Sequence, residues 1–301
     1  MKVLFLVPYP LGQAPSQRFR FEQYLELLKD RGIGFKVSGF MDIKTWHVIY
    51  SKKSYFKKIT GIIKGFFRRV SDFFSMGSYD VVFIHREAAP IGPPIFEWLT
   101  AKVLRKKIIY DFDDAIWIPN YSESNSFVYY LKRYRNTNNL CKWAYKVSCG
   151  NKYLCNYAAK LNKQVILNPT TIDTQYLHNS IKSHDEMVLT IGWTGTHSTI
   201  KYLNSIIPVI EELNTKYTFH FLVISDKDPG YVMPNYKFKK WRKETEIEDL
   251  LEINVGLMPL FNDKWAEGKC GFKALQYNAL GIPAVVSDIG VNSEIIEHGK
   301  N

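Results

Sequence analysis

Short apolar runs that alternate with helical patterns most constrain the fold of this chain. The runs are rich in β-branched and aromatic residues, as strands are. Strands that alternate with helices predict parallel sheets covered by helices, which is the α/β class. The predicted strands are Lys2–Val7, Gly34–Phe40, Val81–His85, Lys107–Asp111, Lys146–Cys149, Gln164–Leu167, Met187–Ile191, Phe219–Ile224, Val255–Met258 and Ala284–Val286.

The segments between these runs predict helices. Ser16 is expected to cap the first helix, and Gly32 is expected to end it. Further helices are predicted at Pro90–Leu104, Thr199–Leu213, Glu246–Leu251 and Phe272–Leu280. A polar stretch after Asn168 marks a boundary between domains 1–170 and 171–301. In such folds ligands bind at the carboxyl ends of the strands.

The amino-acid composition limits the cellular compartment and the kinds of binding partner that fit this chain. The four cysteines among 301 residues include no CxxC pair, which favours a reduced, cytoplasmic protein. The first apolar run is too short for a signal peptide, and no stretch reaches the roughly 18 apolar residues of a spanning helix. The net charge of +11 is consistent with three kinds of binding partner: nucleic acid, an acidic membrane surface or phosphorylated small molecules. No helix-turn-helix, RRM or zinc-finger pattern supports nucleic acid.

Most of this charge comes from one basic amphipathic segment, 43–74. No acidic residue occurs between Ile43 and Ser71. Apolar residues recur there at three- and four-residue steps, which predicts an aromatic-rich helix that binds an anionic membrane surface. A helix that packs its apolar face on the sheet is the alternative, and the two are compatible. The basic residues are Lys44, Lys52, Lys53, Lys57, Lys58, Lys64, Arg68 and Arg69.

Two segments of the C-terminal half suit anionic groups. The loop Gly192–Thr199 has two glycines and precedes a helix, whose N-terminus favours phosphate; an ordinary strand-to-helix turn is the alternative. A second helix start, at Gly271 and Phe272, has Lys269 and Lys273 beside it.

The chain resembles the GT-B glycosyltransferases of the retaining family 4 type. The resemblance runs from MKVLFLVPYP through IIYDFDDAIW and VILNPTTID to GFKALQYNALGIPAVVSDIGVNSEII. It implies two Rossmann-like domains facing each other across a cleft. That family continues beyond the segment that contains Glu297, so the C-terminal part is expected to be truncated at Asn301.

The resemblance also implies the donor site. Two glutamates of the family, with seven residues between them, fall on Gly268 and Gln276. Gln276 is therefore expected to hold the donor ribose, and either Glu267 replaces the first glutamate or Lys269 and Lys273 make a different donor contact. The arginine that meets the diphosphate falls on Trp193. The diphosphate is therefore expected to meet the residues Gly192, Gly195, Thr196, Lys269, Gly271, Phe272 and Lys273.

On the acceptor side, Asp113 stands where the family has a catalytic histidine. Asp111, Asp113 and Asp114 are expected either to raise one another's pKa or to cap the next helix. Asp113, Asp114 and Glu267 are the candidate catalytic residues. The candidate acceptor-binding residues are Gly12, Arg18, Arg20, His85 and Arg86; a surface cation at Arg18 and a structural histidine at His85 are the alternatives.

The resemblance implies a retaining hexosyltransferase that needs no metal and no cofactor. It would move a sugar from a nucleotide-sugar to a lipid-linked glycan in cell-surface polysaccharide synthesis, at the inner face of the cell membrane. The alternative is a basic α/β protein that binds nucleic acid or membrane without transferase activity.

Overall fold

A computed structural model describes residues 1–49, 54–119 and 134–301. The chain divides into two compact units, Met1–Thr170 and Thr171–Asn301. Each unit is built on one parallel sheet, and helices connect most of the successive strands.

The first unit contains a six-stranded sheet in the order β2-β1-β3-β4-β5-β6, and every neighbouring pair is parallel. Its strands read as apolar runs because helices cover both faces. The strands are β1 (Lys2–Val7), β2 (Gly34–Gly39), β3 (Val81–His85), β4 (Lys107–Phe112), β5 (Lys146–Cys149) and β6 (Val165–Leu167).

The helices of the first unit connect these strands. Pro15 opens the first helix, because its missing N–H is not needed at that position. The helices are α1 (Pro15–Arg20), α2 (Leu25–Asp30), α3 (Ile43–Ile49), α4 (Tyr55–Ser75), α5 (Ile95–Trp98), α6 (Asn136–Trp143) and α7 (Lys152–Ala159). Single 3-10 turns lie at Glu22–Tyr24 and Met76–Ser78, and a π-helical turn lies at Leu99–Val103.

The second unit contains a five-stranded parallel sheet in the order β11-β10-β7-β8-β9. Its strands are β7 (Thr190–Gly195), β8 (His220–Ser225), β9 (Tyr236–Lys240), β10 (Val255–Met258) and β11 (Ala284–Val286). Its helices are α8 (Ile200–Asn204), α9 (Ile207–Lys216), α10 (Glu246–Leu250), α11 (Lys264–Glu267), α12 (Phe272–Ala279) and α13 (Asn292–Ile295), with 3-10 turns at His197–Thr199 and Lys243–Thr245.

The predicted strand at Met187–Ile191 was wrong in its position. The strand begins at Thr190 and includes Gly192 and Gly195, which were predicted to lie in a loop. A Cβ on Gly192 would lie 2.4 Å from the Ile253 side chain, so glycine lets this strand pack against the core.

Three predicted helices and one strand also needed correction. Ala14, not Ser16, is the N-cap of α1, because Pro15 takes the first helical position. The segment predicted at Thr199–Leu213 divides into α8 and α9, and helix α5 begins at Ile95, after Pro93 and Pro94. Edge strand β9 carries three lysines in five residues, so its sequence gave no apolar run to predict it.

On its inner face, helix α4 buries two glycines and two charged side chains and packs Ile62 and Phe66 against Phe40. Its outer face carries an apolar stripe. Gly61, Gly65, Arg69 and Asp72 are its buried residues. A stripe at three- and four-residue steps is exposed instead, so the apolar residues did not all pack on the sheet. The stripe consists of Phe56, Ile59, Ile63, Phe67, Val70 and Phe74. Lys52 and Lys53 of the basic segment lie outside the described residues.

Because α4 packs closely against Phe40, replacing a glycine of this helix with alanine is expected to destabilise the protein. A Cβ on Gly65 would lie 2.5 Å from the ring of buried Phe40. Glycine-to-alanine changes inside helices are normally favourable, but here we expect Gly65→Ala to lower the free energy of unfolding by about 1–3 kcal/mol through overpacking. Urea denaturation measures this. Gly77→Ala is the control, because its Cβ would meet no atom within 4 Å; equal stability of the two variants would contradict the packing.

Candidate functional site

Arg86, Asp113 and Asp114 form one cluster at the carboxyl end of the first sheet. The Arg86 guanidinium donates from Nε to Asp113 Oδ1 at 2.9 Å, and from Nη2 to Asp113 Oδ1 and to Asp114 Oδ2 at 2.7 Å each. Burial alone would lower the pKa of Arg86, but the two carboxylates raise it well above its ordinary value. The cluster therefore contains two carboxylates and one permanent cation.

The backbone at Arg86 is left-handed, with φ of +60°. Such a conformation is costly for a residue with a long side chain, and it persists only where the surroundings impose it. Here the Arg86 N–H donates to the Asp111 carbonyl and the Arg86 carbonyl accepts from the Tyr110 hydroxyl at 3.0 Å. Strained residues of this kind concentrate at functional sites.

The loop after β1 is fixed by two polar side chains that the sequence did not single out. Gln17 accepts from the Tyr9 N–H at 2.9 Å and donates to the Tyr9 carbonyl at 3.1 Å. Glu22 accepts from the N–H of Gly12 at 2.8 Å. Gly12 has φ of +76°, which glycine adopts without strain. Predicted acceptor residue Gly12 therefore lies on a loop with a defined shape.

Buried Asp111 joins two other predicted acceptor residues, Arg20 and His85. Arg20 donates to both carboxylate oxygens, from Nε at 3.2 Å and from Nη2. His85 Nδ1 lies 2.9 Å from Asp111 Oδ2, and its Nε2 lies 3.4 Å from the Ser16 hydroxyl. Ser148 donates to Asp111 Oδ1 at 2.6 Å.

The Asp111 network is closed to solvent. The side chains of Arg20, His85 and Asp111 are at most 1% exposed. Arg18 is also buried, and its guanidinium lies 5.0 Å from the centre of the Phe19 ring. In the structure, Arg20 and His85 thus contact the Asp111 carboxylate. Their role in binding an acceptor stays a prediction.

The expectation that the three aspartates raise one another's pKa is wrong for Asp111. Burial by itself would raise the pKa of this carboxyl, but Arg20 and the hydrogen bond from His85 hold it well below its ordinary value. The neighbouring carboxylates, Asp113 and Asp114, instead both form ion pairs with Arg86.

Glu97 is a buried carboxyl beside the Arg86 loop. One of its oxygens accepts from the Ala88 N–H at 2.9 Å, and within the described residues the other, Oε2, has no hydrogen-bond partner. Burial raises the pKa of Glu97 to about 7. Glu97 and Arg86 both line a small cavity next to α6.

A larger cavity of about 730 Å³ lies beside this one. Its described lining is mostly aromatic and proline side chains with a few polar ones. Tyr134 and Asn136 line both cavities. The remaining lining residues are Pro93, Pro94, Ile95, Trp98, Trp117, Pro119, Arg135, Asn139 and Trp143.

In the second unit, Trp193 brings two predicted donor segments together. Its side chain is 1% exposed. A Cβ on Gly195 would lie 2.4 Å from its ring, and Lys273 Nζ lies 5.6 Å above the ring centre. The end of β7 and the start of α12 therefore meet around this indole.

Helix α12 begins at a glycine in the left-handed region, Gly271, with φ of +66°. The first turn of a helix carries N–H groups without helical partners and the positive end of the dipole. Lys273 lies in this first turn, and Lys269 lies over the ring of Trp265 at 5.2 Å. The turn has no acidic side chain. Positive charge is thus concentrated at this helix start, next to Phe272.

Glu267 ends helix α11 close to the loop that follows β11. A Cβ on Gly290 of that loop would lie 3.1 Å from the Glu267 carbonyl. Glu267 is half-buried, whereas Gly268, the position of the family's first glutamate, is buried. The catalytic role of Glu267 stays a prediction.

Gln276 lies on the buried face of α12. It is 2% exposed, and its Nε2 lies 3.2 Å from Nε2 of His178. The amide proposed for the ribose is therefore already engaged inside the second unit. Its role toward a donor stays a prediction.

The loop after β7 is held by an aspartate at the end of β8. Asp226 accepts from the His197 backbone N–H at 2.7 Å and contacts its Nδ1 at 2.6 Å. Thr196 and Thr199 form a reciprocal capping box in the same turn. The sequence signal for this arrangement was the Thr-x-x-Thr pattern before a helix. The predicted donor residue Thr196 is exposed at this turn.

Comparisons with known proteins identify the fold. No family model matches the chain, and no curated protein matches it in sequence. Among solved structures, a glycosyltransferase from Rickettsia africae is 12% identical, with a TM-score of 0.65 over 99% of this chain and 82% of that one. A sucrose-phosphate synthase from Thermosynechococcus elongatus is 11% identical, with a TM-score of 0.62 over 97% and 82%.

A third similar structure is the catalytic domain of starch synthase IV from Arabidopsis thaliana bound to ADP and acarbose. It is 7% identical, with a TM-score of 0.61 over 100% of this chain and 85% of that one. The chain thus has the GT-B fold of these proteins, and the predicted fold class is confirmed. Membership of the retaining family 4 stays a prediction.

The Asp111 network predicts a large cost for removing one charge. We expect Asp111→Asn to lower the free energy of unfolding at pH 7 by about 3–5 kcal/mol, because it leaves Arg20 buried without its counter-charge. Folding lowers the pKa of Asp111, so this stabilisation is present above the unfolded-state pKa of about 3.9 and is lost as the pH falls.

Urea denaturation from neutral to acidic pH tests this dependence. The stability difference between wild type and Asp111→Asn should shrink as the pH falls below about 4. Asp30→Asn, at an exposed aspartate, is the control. A difference that stays constant with pH would show that the carboxylate charge is not the stabilising feature.

Ionisation of Glu97 is expected to lower the stability of the native state as the pH rises, which is opposite to the effect of Asp111. The folded-state pKa of Glu97, about 7, exceeds the unfolded-state pKa of about 4.3, so the native state loses stability as the pH rises between these values. We expect Glu97→Gln to abolish this loss and to be more stable than wild type at pH 8 by about 2–3 kcal/mol. Thermal unfolding at pH 5 and pH 8 measures it. Glu26→Gln, on the surface, should keep the wild-type slope.

Proposed function

We propose that this protein is a glycosyltransferase that uses a nucleotide-sugar donor. The observation that carries the proposal is the GT-B fold, which the chain shares over at least 97% of its length with a glycosyltransferase and two sugar-polymer or sugar-phosphate synthases. Three of the similar structures have UDP or ADP bound.

The donor binds the second unit at the start of α12. Its diphosphate lies against the first turn of this helix, where Lys273, Lys269 and the N–H groups supply positive charge. The loop at Gly195 and Thr196 lies beside the same helix start, because Gly195 packs on the Trp193 ring that Lys273 also contacts. Backbone amides and lysines thus take over the role of the arginine that the family has at the Trp193 position.

The acceptor binds the first unit at the carboxyl end of its sheet. Arg86 fixes the carboxylates of Asp113 and Asp114, and these accept the proton or the hydrogen bond of the reacting hydroxyl. The adjacent aromatic cavity offers flat apolar rings to a sugar. Catalysis then consists of positioning the hydroxyl and stabilising the departing diphosphate, with retention of the anomeric configuration and without a metal or a cofactor.

The acceptor is a lipid-linked glycan of cell-surface polysaccharide synthesis, and the protein works at the cytoplasmic face of the membrane. Segment 43–74 supports this, because α4 exposes its apolar stripe next to Lys57 and Lys64. Among the described residues no helix is both long and apolar enough to cross a bilayer. Attachment through α4 would therefore be peripheral. The transferred sugar is a hexose.

The competing hypothesis is a basic α/β protein that binds nucleic acid or membrane without transferase activity. It predicts no affinity for nucleotide-sugars. Salt-matched binding to DNA and to anionic liposomes separates the two kinds of surface, since a membrane helix with an apolar stripe prefers the liposomes.

Donor binding tests the proposal directly. Calorimetry with UDP-, ADP- and GDP-hexoses should detect one nucleotide-sugar, and Lys273→Ala should weaken its binding about tenfold, which is the loss of about 1.4 kcal/mol expected for a charge-assisted contact. Lys264→Ala, an exposed lysine on α11, is the control. Absence of binding across the series, or equal effects of both variants, would contradict the proposal.

A further inference from the structure

The two faces of α4 contact different surroundings. The apolar stripe defined above faces outward, with the side chains of Phe56 and Phe74 78% and 80% exposed. The inner face approaches the fold closely through Gly61 and Gly65. The single acidic residue of the helix, Asp72, is buried. The inference below rests on the membrane association proposed above.

Arg69, on the inner face of α4, contacts the carboxyl ends of β1 and β2 and the segment after β3. Its Nε donates to the Ala88 carbonyl at 2.6 Å, Nη2 donates to the carbonyls of Val7 at 2.8 Å and Ser38 at 3.1 Å, and Nη1 donates to Ser38 Oγ and Asp72 Oδ2 at 3.0 and 2.9 Å. Arginine has five N–H donors, and every one is used. Side-chain exposure is 0%.

The Ala88 peptide is held from both sides. Its carbonyl accepts from Arg69, and its N–H donates to Glu97. Two residues earlier lies Arg86, the left-handed residue that binds Asp113 and Asp114. The loop that carries the candidate acceptor cluster is therefore connected to α4 by one guanidinium.

We infer that Arg69 is a positioning residue that couples membrane binding by α4 to the order of the loop at residues 85–89. A membrane that holds α4 in place also holds Arg69, and with it the Ala88 carbonyl. The acceptor cluster is then most ordered when the protein is on the surface that carries the acceptor.

The coupling has a simple thermodynamic form. Loops and helices of a folded protein open locally, and a ligand that binds only the closed form lowers the population of the open one. Vesicle binding requires the intact apolar stripe of α4, so it opposes opening of this helix. Because Arg69 contacts Ala88, Val7 and Ser38, opening of α4 removes these contacts together.

Hydrogen exchange of the full chain tests this inference. Vesicles of phosphatidylcholine with 30% phosphatidylglycerol should slow amide exchange in peptides that cover residues 85–89 at least threefold. In Arg69→Lys, which keeps a cation beside Asp72 but loses the planar fork, vesicle binding should remain within about threefold of wild type while this slowing disappears.

A double variant on the outer face is the matched control. Phe56→Ser with Phe67→Ser should reduce vesicle binding at least tenfold and leave exchange at residues 85–89 in solution unchanged. Slowing that persists in Arg69→Lys, or wild-type vesicle binding without slowing, would overturn the inference.

Ser38→Ala is a second variant, in case Arg69→Lys does not fold. It removes one acceptor of the Arg69 guanidinium and the 2.5 Å hydrogen bond from Ser38 to Asp72. The slowing of amide exchange at residues 85–89 by vesicles should then fall to half or less of its wild-type size. Slowing of the wild-type size would contradict the inference. Donor binding, measured without vesicles, separates this inference from the proposed function. Arg69→Lys should bind the nucleotide-sugar as wild type does, whether or not the coupling exists.

Discussion

Two buried arginines hold the carboxyl end of the first sheet together. Arg69 contacts the ends of β1 and β2 and the segment after β3. Arg20 contacts Asp111 of β4, Ser148 of β5 and the Asn168 carbonyl just after β6. Every strand of the sheet thus contacts one of the two guanidiniums at or near its end. Because a buried cation is costly without partners, these contacts also fix where each loop begins.

This arrangement explains why the candidate acceptor cluster is well defined. Arg86 occupies a backbone conformation that its own side chain disfavours, and Asp111 and Tyr110 of β4 hold its peptide. The Asp111 carboxylate is in turn fixed by Arg20 and His85. Buried polar groups thus position a cluster that is itself partly exposed, as Asp113 and Asp114 are. At the α12 helix start of the second unit, Lys273 lies over the buried indole of Trp193.

The fold could be predicted from sequence because apolar runs and glycine signals are local. Strands β1, β3, β5, β10 and β11 have their predicted bounds. Strand β7 was displaced, because Gly192 and Gly195 suggest a loop but serve packing against Ile253 and Trp193. The burial of Arg69 could not be predicted from its neighbours in the sequence either, since a basic residue in a basic segment is expected on the surface.

The candidate site was predictable only as a set of segments. The Asp-x-Asp-Asp pattern predicted a candidate site at the end of β4, but it did not show that Asp111 contacts Arg20 whereas Asp113 and Asp114 contact Arg86. Gln276 was expected at a ligand and lies beside His178. Partners distant in sequence decide these outcomes, and their side-chain directions depend on packing.

The proposed reaction transfers a sugar from a nucleotide to a lipid-linked acceptor. The most direct measurement incubates the protein with a labelled nucleotide-hexose and a membrane extract and follows the label by lipid extraction and NMR of the new linkage. We expect label in the lipid fraction, in a linkage with the anomeric configuration of the donor. Label that stays in the aqueous phase as free sugar or intact donor, or a linkage of inverted configuration, would contradict it.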